Sequence, residues 1–167
     1  LAPIKRVSIV DRYAIKDHFF CPQAKLSGLE RFLRLLDKNS NGKRYVTLYS
    51  AWTTELKEKG KTFHDVEADI KLILERLPTN NIEHIKLYMV HDSGFRVGAH
   101  DRFIRFENFV WDIGKGLKVF EGAFATERSE AAFKTGEVTA SYKEIEKELQ
   151  GHPKKLLDCE LSRPTLP

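Results

Sequence analysis

Hydrophobic residues in the first half of the chain form three short runs that are typical of buried strands. The runs cover residues 5–13, 44–52 and 84–90, and each is rich in β-branched or aromatic residues. Runs of this length, bounded by polar and turn-forming residues, predict strands rather than helices.

Two stretches between these runs have the spacing of amphipathic helices. Leucines recur every three or four positions over residues 23–37. A second apolar stripe begins at Thr62, where Asp65 completes a capping-box pattern, and Pro78 ends it. The polar stretch before it, residues 55–61, is predicted to be a loop. The order β-α-β-α-β favours parallel strands with helices packed across the sheet, which is an α/β fold.

The second half of the chain opens with HDRFIRFENFVWDIGKGL, residues 100–117, in which charged and aromatic residues are interleaved. This pattern predicts two antiparallel strands that reverse at Glu107 and Asn108, followed by a glycine turn. A further helix is predicted over residues 141–149, and the tail from His152 has no clear pattern.

Composition narrows the class of protein. The chain has 167 residues, which suits a single domain over residues 1–167, and its 41% apolar and 31% charged residues indicate a soluble globular protein. No apolar run approaches the ~18 residues of a membrane helix. The net charge of +4 permits an anionic partner without requiring one. Because the chain begins at Leu1, we expect a domain excised from a longer protein.

The cysteines and histidines argue against a metal centre. Cys21 and Cys159 lie far apart without CxxC spacing, so neither a disulfide framework nor a zinc site is expected. Four histidines have no neighbours at metal-ligand spacing: His18, His64, His84 and His152. We therefore predict no metal, no cofactor and a reducing, cytoplasmic location.

The strand that begins at His100 carries the strongest candidate chemistry. His100 and Arg102 project from the same face, because side chains alternate along a strand. Histidine can attack phosphorus or transfer a proton, and arginine can fork onto phosphate oxygens, so the pair suits a phosphodiester. Glu107 could orient the histidine if the turn folds back. Judged from spacing alone, a charged surface hairpin remains the better interpretation.

Other candidates lie at strand ends. Asp11, Arg12 and Tyr13 follow the first strand, and open α/β sheets bind ligands at the carboxyl ends of their strands. A simple strand-end turn, with Tyr13 packed on the sheet, is an equally good interpretation. His91 and Asp92 end the third strand and are weaker candidates. The polar loop contains three lysines that could touch an anionic polymer, although a solvated loop is the better interpretation: Lys57, Lys59 and Lys61.

The same segment resembles a known family. In the phospholipase D superfamily, a His-x-Lys signature is followed by an aspartate; here His100-x-Arg102 is followed by Glu107, so every charge sign is kept. The segment is more closely similar to the phospholipase-D-like C-terminal domain of MIT-domain-containing proteins, which act with the ESCRT-III machinery in abscission. The shared elements are His-Asp-Arg, Arg-Phe-x-Asn and Ile-Gly-x-Gly-Leu, together with upstream stretches similar to VSIVDRYAIKDH and YVTLYSA. The resemblance spans roughly residues 7–120.

This resemblance implies a phospholipase-D-like mixed sheet flanked by helices, often dimeric, that binds acidic phospholipid headgroups without established hydrolysis. His100, Asp101 and Arg102 would occupy the signature strand. Arg105 would join the anion site, and the glycine turn would bring backbone amides and one lysine to the anion through three residues: Gly114, Lys115 and Gly116. The chain contains no MIT domain and no second His-x-Lys element, so a two-histidine active site would require a homodimer.

Three functional hypotheses follow. The first is a non-catalytic module that binds a phosphodiester on a phospholipid headgroup or a nucleic acid, in the cytoplasm or at a membrane surface. The second is a metal-independent phosphodiesterase or nuclease that forms a phosphohistidine at His100 across a homodimer. The third is a protein-interaction or dimerisation domain with a vestigial pocket.

Overall fold

The computed structural model describes residues 4–95, 102–121 and 131–164. The described residues contain the following strands: β1 (Arg6–Asp11), β2 (Arg44–Trp52), β3 (Ile82–His91), β4 (Arg102–Phe106), β5 (Phe109–Ile113), β6 (Ala131–Thr135) and β7 (Lys155–Ser162). They contain these α-helices: α1 (Ala14–Phe20), α2 (Gly28–Lys38), α3 (Thr54–Glu58), α4 (Phe63–Arg76) and α5 (Thr139–Gln150). Among these helices, none has the length and apolar character that crossing a membrane demands.

The strands form one mixed sheet in the order β6-β5-β4-β1-β2-β3-β7. β1, β2 and β3 run parallel to one another, whereas β4, β5, β6 and β7 each pair antiparallel with their neighbours. The prediction of an α/β fold with a mixed sheet flanked by helices is therefore confirmed.

Each face of the sheet has its own core, because successive side chains of a strand point to opposite faces. Val7 and Ile9 of β1 pack with buried residues of α1, α2 and α4 on one face. Val10 packs on the other face, where Tyr142 and Leu149 of α5 are buried. Each fully buried side chain of this size contributes about 1.5–3 kcal/mol to folding, so the two layers fix the sheet between them.

Three elements differ from the sequence-based prediction. The segment predicted as a polar loop forms α3, whose start is capped by the Thr53 hydroxyl accepting from the Leu56 amide at 3.4 Å. The tail forms β7, and α1 was not predicted at all. Leu56 is the only buried residue of α3, and β7 is an edge strand with mostly exposed or half-buried side chains. The sequences of α3 and β7 therefore lack a strong periodic pattern of hydrophobic residues.

The other predictions agree with the fold. The chain reverses between β4 and β5 at Glu107 and Asn108, and α5 contains the helix predicted over residues 141–149. The predicted glycine turn leads into a short 3-10 helix over Gly116–Phe120. This turn reaches the carboxyl end of β1, where the candidate site lies.

Candidate anion-binding site

The pairing of β1 with β4 brings two of the predicted site residues together. The antiparallel register places Asp11 opposite Arg102 at the carboxyl end of β1. The two predicted residues just before Arg102, His100 and Asp101, lie outside the described residues. The described part of the site is thus built on Asp11, on Arg102 and on the chain that follows β1.

Asp11 fastens the glycine turn to the sheet. Its side chain is 1% exposed; Oδ2 accepts a hydrogen bond from the Leu117 amide at 2.7 Å and Oδ1 accepts one from the Tyr13 amide at 2.9 Å. Burial raises the pKa of Asp11 to about 6, although both amide hydrogen bonds and the charge of Arg102 act to lower it. Desolvation of the carboxylate therefore outweighs its favourable contacts.

The turn needs glycine because Asp11 approaches it closely. Gly116 has φ +69°, and a Cβ placed there would lie 2.5 Å from Asp11 Oδ2. The sequence analysis assigned this open backbone to an anion, but the protein's own carboxylate occupies the space beside it. Gly114 accepts a hydrogen bond at its carbonyl from Arg102 Nη1 at 3.2 Å, and Lys115 is exposed on the same turn.

Three cationic side chains gather on the ring of Tyr13. The ring centroid lies 4.3 Å from Lys16 Nζ, 5.0 Å from Arg102 Cζ and 5.5 Å from Arg12 Cζ. Cation–π contacts of this kind are worth about 0.5–1 kcal/mol at exposed sites and more when desolvated. We call Asp11, Arg12, Tyr13, Lys16 and Arg102 the Tyr13 site.

Arg12 connects this site to the end of β3. Its Nε donates to Asp92 Oδ1 at 2.8 Å, and its Nη2 donates to the Asp92 carbonyl at 3.3 Å. His91, a weaker sequence candidate, has its Nδ1 2.9 Å from the Ser93 hydroxyl. Arg12 is thus held in an ion pair that also positions its guanidinium beside Tyr13.

Arg105 does not belong to the Tyr13 site, contrary to the prediction that grouped it with Arg102. It lies three residues along β4 and therefore projects from the other face. There Nη2 donates to Glu146 Oε1 of α5 at 2.8 Å and to Ser8 Oγ at 3.1 Å. The hydrogen bond to Glu146 is the main cause that raises the pKa of Arg105. This arginine is part of the packing between α5 and the sheet.

Glu107 is also separated from the Tyr13 site. It lies beyond the opposite end of β4 from Arg102, about 17 Å away along a strand that rises roughly 3.4 Å per residue. Its Oε1 accepts hydrogen bonds from the Lys5 amide at 3.2 Å and the Arg6 amide at 2.9 Å. Its backbone has φ 52°, as the tight reversal requires. The turn does not bring this carboxylate to Arg102, so its predicted role in orienting His100 has no support.

Lys16 is the site residue that the sequence analysis missed. It lies three residues after Tyr13 on α1, and residues three apart on a helix are neighbours. The spacing was readable, but α1 has only seven residues and was not predicted, so Lys16 had no assigned position.

A second polar cluster lies between the helices of the same face. His18 Nδ1 is 2.6 Å from Ser27 Oγ, which caps α2, and His18 Nε2 is 3.2 Å from Asp69 Oδ2 of α4. They border a cavity of about 410 Å³. Burial lowers the pKa of His18, which favours the neutral ring. Together these contacts connect α1, α2 and α4.

Comparison with known proteins adds no relative. A scan against protein-family models and searches of curated proteins and of solved structures each gave no match to the chain. The phospholipase-D-like resemblance therefore stays a prediction that depends on the motifs quoted above.

Proposed function

We propose that this chain binds phosphodiester-bearing ligands at the Tyr13 site without cleaving them. The observation that carries the proposal is the group of three cations on the Tyr13 ring, at the carboxyl end of β1 and beside a glycine turn. Ligands of open α/β sheets bind outside the carboxyl ends of the strands, and phosphodiesters need positive charge there.

The cations differ in what they offer a phosphate. Arg102 presents a planar fork that matches two non-bridging oxygens, whereas Lys16 is a compact point charge. Both charges lie within about 5 Å of the Tyr13 ring centroid, at 4.3 Å for Lys16 and 5.0 Å for Arg102. Lys115 adds an exposed charge on the neighbouring turn. This combination suits the two non-bridging oxygens of a phosphodiester.

Binding without cleavage is favoured by two features. A histidine that attacks phosphorus benefits from a carboxylate that orients it, and Glu107 lies at the far end of β4. In addition, Arg102 stands where the phospholipase D signature has lysine, and a fork does not reproduce the geometry of a point charge.

The test uses two probes that share phosphodiesters but little else. One is a fluorescent ten-residue abasic DNA strand, and the other is a vesicle of phosphatidylcholine with phosphatidylserine. We expect binding to at least one probe, weakened about tenfold by Arg102→Ala, which corresponds to one charge-assisted hydrogen bond. Lys147→Ala is the control, since Lys147 is an exposed lysine on α5, across the sheet.

Unchanged binding of both probes by Arg102→Ala would show that the Tyr13 site is not the phosphate site. The abasic strand is also examined for shortening after incubation with EDTA. Intact strand supports a binding module, whereas cleaved strand would replace the proposal with a metal-independent phosphodiesterase.

A further inference from the structure

We infer that the outward face of α1 extends the Tyr13 site into a binding surface for single-stranded nucleic acid. The inference rests on the proposed phosphodiester binding and adds to it the identity of the polymer. It is carried by an alternation of aromatic rings and cations along one side of this helix.

The pattern follows helical geometry. Ala14 and Ile15 are buried against the sheet, and the residues on the opposite side of α1 are Tyr13, Lys16 and Phe20. Phe20 is 43% exposed. Phe20 lies seven positions after Tyr13, which corresponds to about 10 Å along a helix axis. That distance spans about three nucleotides at a stacked rise of roughly 3.4 Å each.

A neighbouring segment adds Lys59 to the same side of the helix and Lys61 beside Phe19, which is partly buried against the core. Lys59 follows the last residue of α3, and Lys59 Nζ lies 5.1 Å from the Phe20 ring centroid. Lys61 Nζ lies 4.7 Å from the ring of Phe19. Gly60 between them has φ +70°, which turns the chain so that both lysines reach α1. Two of the lysines for which the sequence indicated a solvated loop thus have defined aromatic partners.

Alternating aromatic rings and ammonium groups match the base-and-phosphate repeat of a single-stranded nucleic acid. Each nucleotide offers a flat base that can stack on an aromatic ring and a phosphate that a nearby lysine can contact. A duplex hides its base faces in its own stack and could use only the cations. A lipid headgroup would use one phosphate site, and Lys59 beside the exposed Phe20 opposes burial of this ring among acyl chains.

Acids also lie in this surface. Besides Asp11 of the Tyr13 site, Asp17 is half-buried on α1; burial and the charge of Glu121 raise its pKa, and the charges of Lys16, Lys118 and Arg102 act to lower it. With Lys59 and Lys61 further along α1, the cations of this surface outnumber these acids.

The experiment compares two strands of equal charge. Fluorescence polarisation measures binding of a ten-residue thymidine strand and of the ten-residue abasic strand, both with the full protein. Stacking adds on the order of tenfold in affinity per base, so we expect the thymidine strand to bind at least tenfold more tightly. Phe20→Ala should lower the ratio of the two affinities by about tenfold, because one of the two stacking rings is lost, while leaving abasic binding unchanged.

Controls separate stacking from folding and from charge. Phe133→Ala removes a ring that is 66% exposed on edge strand β6 and should leave both affinities as in the wild type. Lys59→Ala should weaken both strands alike by a few-fold, and thermal unfolding should show that each variant folds.

The outcomes distinguish this inference from the proposed function. Equal affinities for the two strands, both lowered by Arg102→Ala, would overturn the nucleic-acid surface and leave phosphodiester binding in place. Binding to anionic vesicles but to neither strand would do the same and would identify a lipid ligand. Binding to none of these probes would overturn both.

Discussion

Arg102 and Arg105 stand three residues apart on β4, yet the structure gives them opposite surroundings. Arg102 faces the Tyr13 site, at the end of the sheet where the chain leaves β1 for α1. Arg105 faces α5 and is held by Glu146, by Ser8 and by the carbonyl of Glu107. An odd spacing along a strand is enough to assign one arginine to a candidate ligand and the other to the interior.

The different surroundings of the two arginines show that the role of a charged residue in a strand depends on which face of the sheet its position places it on. Arg105 is 15% exposed and Glu146 is 6% exposed, so this pair has left water. Buried pairs of this kind matter to stability chiefly when one partner is removed. Arg102, in contrast, lies opposite the Asp11 carboxylate and beside the Tyr13 ring, where its guanidinium is part of a site that can also receive an anion. We therefore expect substitution of Arg105 to lower mainly stability and substitution of Arg102 to lower mainly ligand binding.

The largest expected effect is on Arg105. Arg105→Ala leaves the Glu146 carboxylate buried without its cation, which should lower the free energy of unfolding by about 3–5 kcal/mol. Urea-induced unfolding measures this loss. The double variant Arg105→Met with Glu146→Leu should recover most of it. If Arg105→Ala instead weakened binding of the abasic strand while unfolding stayed unchanged, the assignment of the two arginines would be reversed.

A comparable effect should appear in the pH dependence through Asp11. Because burial raises its pKa to about 6 from an ordinary value near 3.8, the folded state binds this proton more tightly than the unfolded state does. The contribution is present in full below about pH 4 and is lost as the pH rises through 6. We expect this loss to be on the order of 3 kcal/mol.

The measurement is the difference in unfolding free energy between the wild type and Asp11→Asn from pH 4.5 to 7.5. Asparagine keeps an acceptor for one amide and cannot ionise, so the difference should fall as the pH rises. A difference that stays flat across this range would mean that Asp11 ionises normally in the folded protein.

A smaller loss is expected at the glycine turn. Gly116→Ala combines a left-handed backbone, which costs about 1–2 kcal/mol for a non-glycine residue, with a contact to Asp11. Gly136→Ala is the matched control, since Gly136 has a similar φ of +66° and nothing within 4 Å of its added Cβ. Chemical unfolding of both variants should show a larger loss at position 116. Equal losses would mean that the Asp11 contact relaxes without cost.

The smallest effect on stability should be that of Arg102→Ala. Arg102 donates a hydrogen bond to the Gly114 carbonyl and lies over the Tyr13 ring, so the free energy of unfolding should fall by about 1–2 kcal/mol, less than for Arg105→Ala. The same variant should lose about tenfold in phosphodiester affinity. A stability loss as large as that of Arg105→Ala would remove the contrast between the two residues.

Much of the fold was predictable because hydrophobic residues recur at regular spacing in the elements that form its core. The strands β1, β2 and β3 are short apolar runs, and α4 has a capping box in which Thr62 and Asp65 satisfy each other's backbone amides. The reversal at Glu107 was likewise visible from its polar residues. What failed were elements with few buried residues, such as α3 with Leu56 alone.

The candidate site was only partly predictable, for a different reason. Asp11, Arg12 and Tyr13 could be placed at a strand end from sequence, and the register of β1 with β4 brings Arg102 to them. Sequence spacing could not tell that Glu107 would bond to the backbone of Lys5 and Arg6 at the other end of the sheet. That contact joins residues about a hundred positions apart, and no local pattern encodes it.

The close approach of Asp11 to Gly116 has a consequence for how this protein could vary. A side chain at position 116 would be accommodated most readily after the carboxylate at position 11 had been shortened or removed. A library randomised at both positions should therefore return survivors in which the two residues covary, with glycine retained wherever aspartate is retained. Positions 11 and 116 should therefore change together, even though 104 residues lie between them.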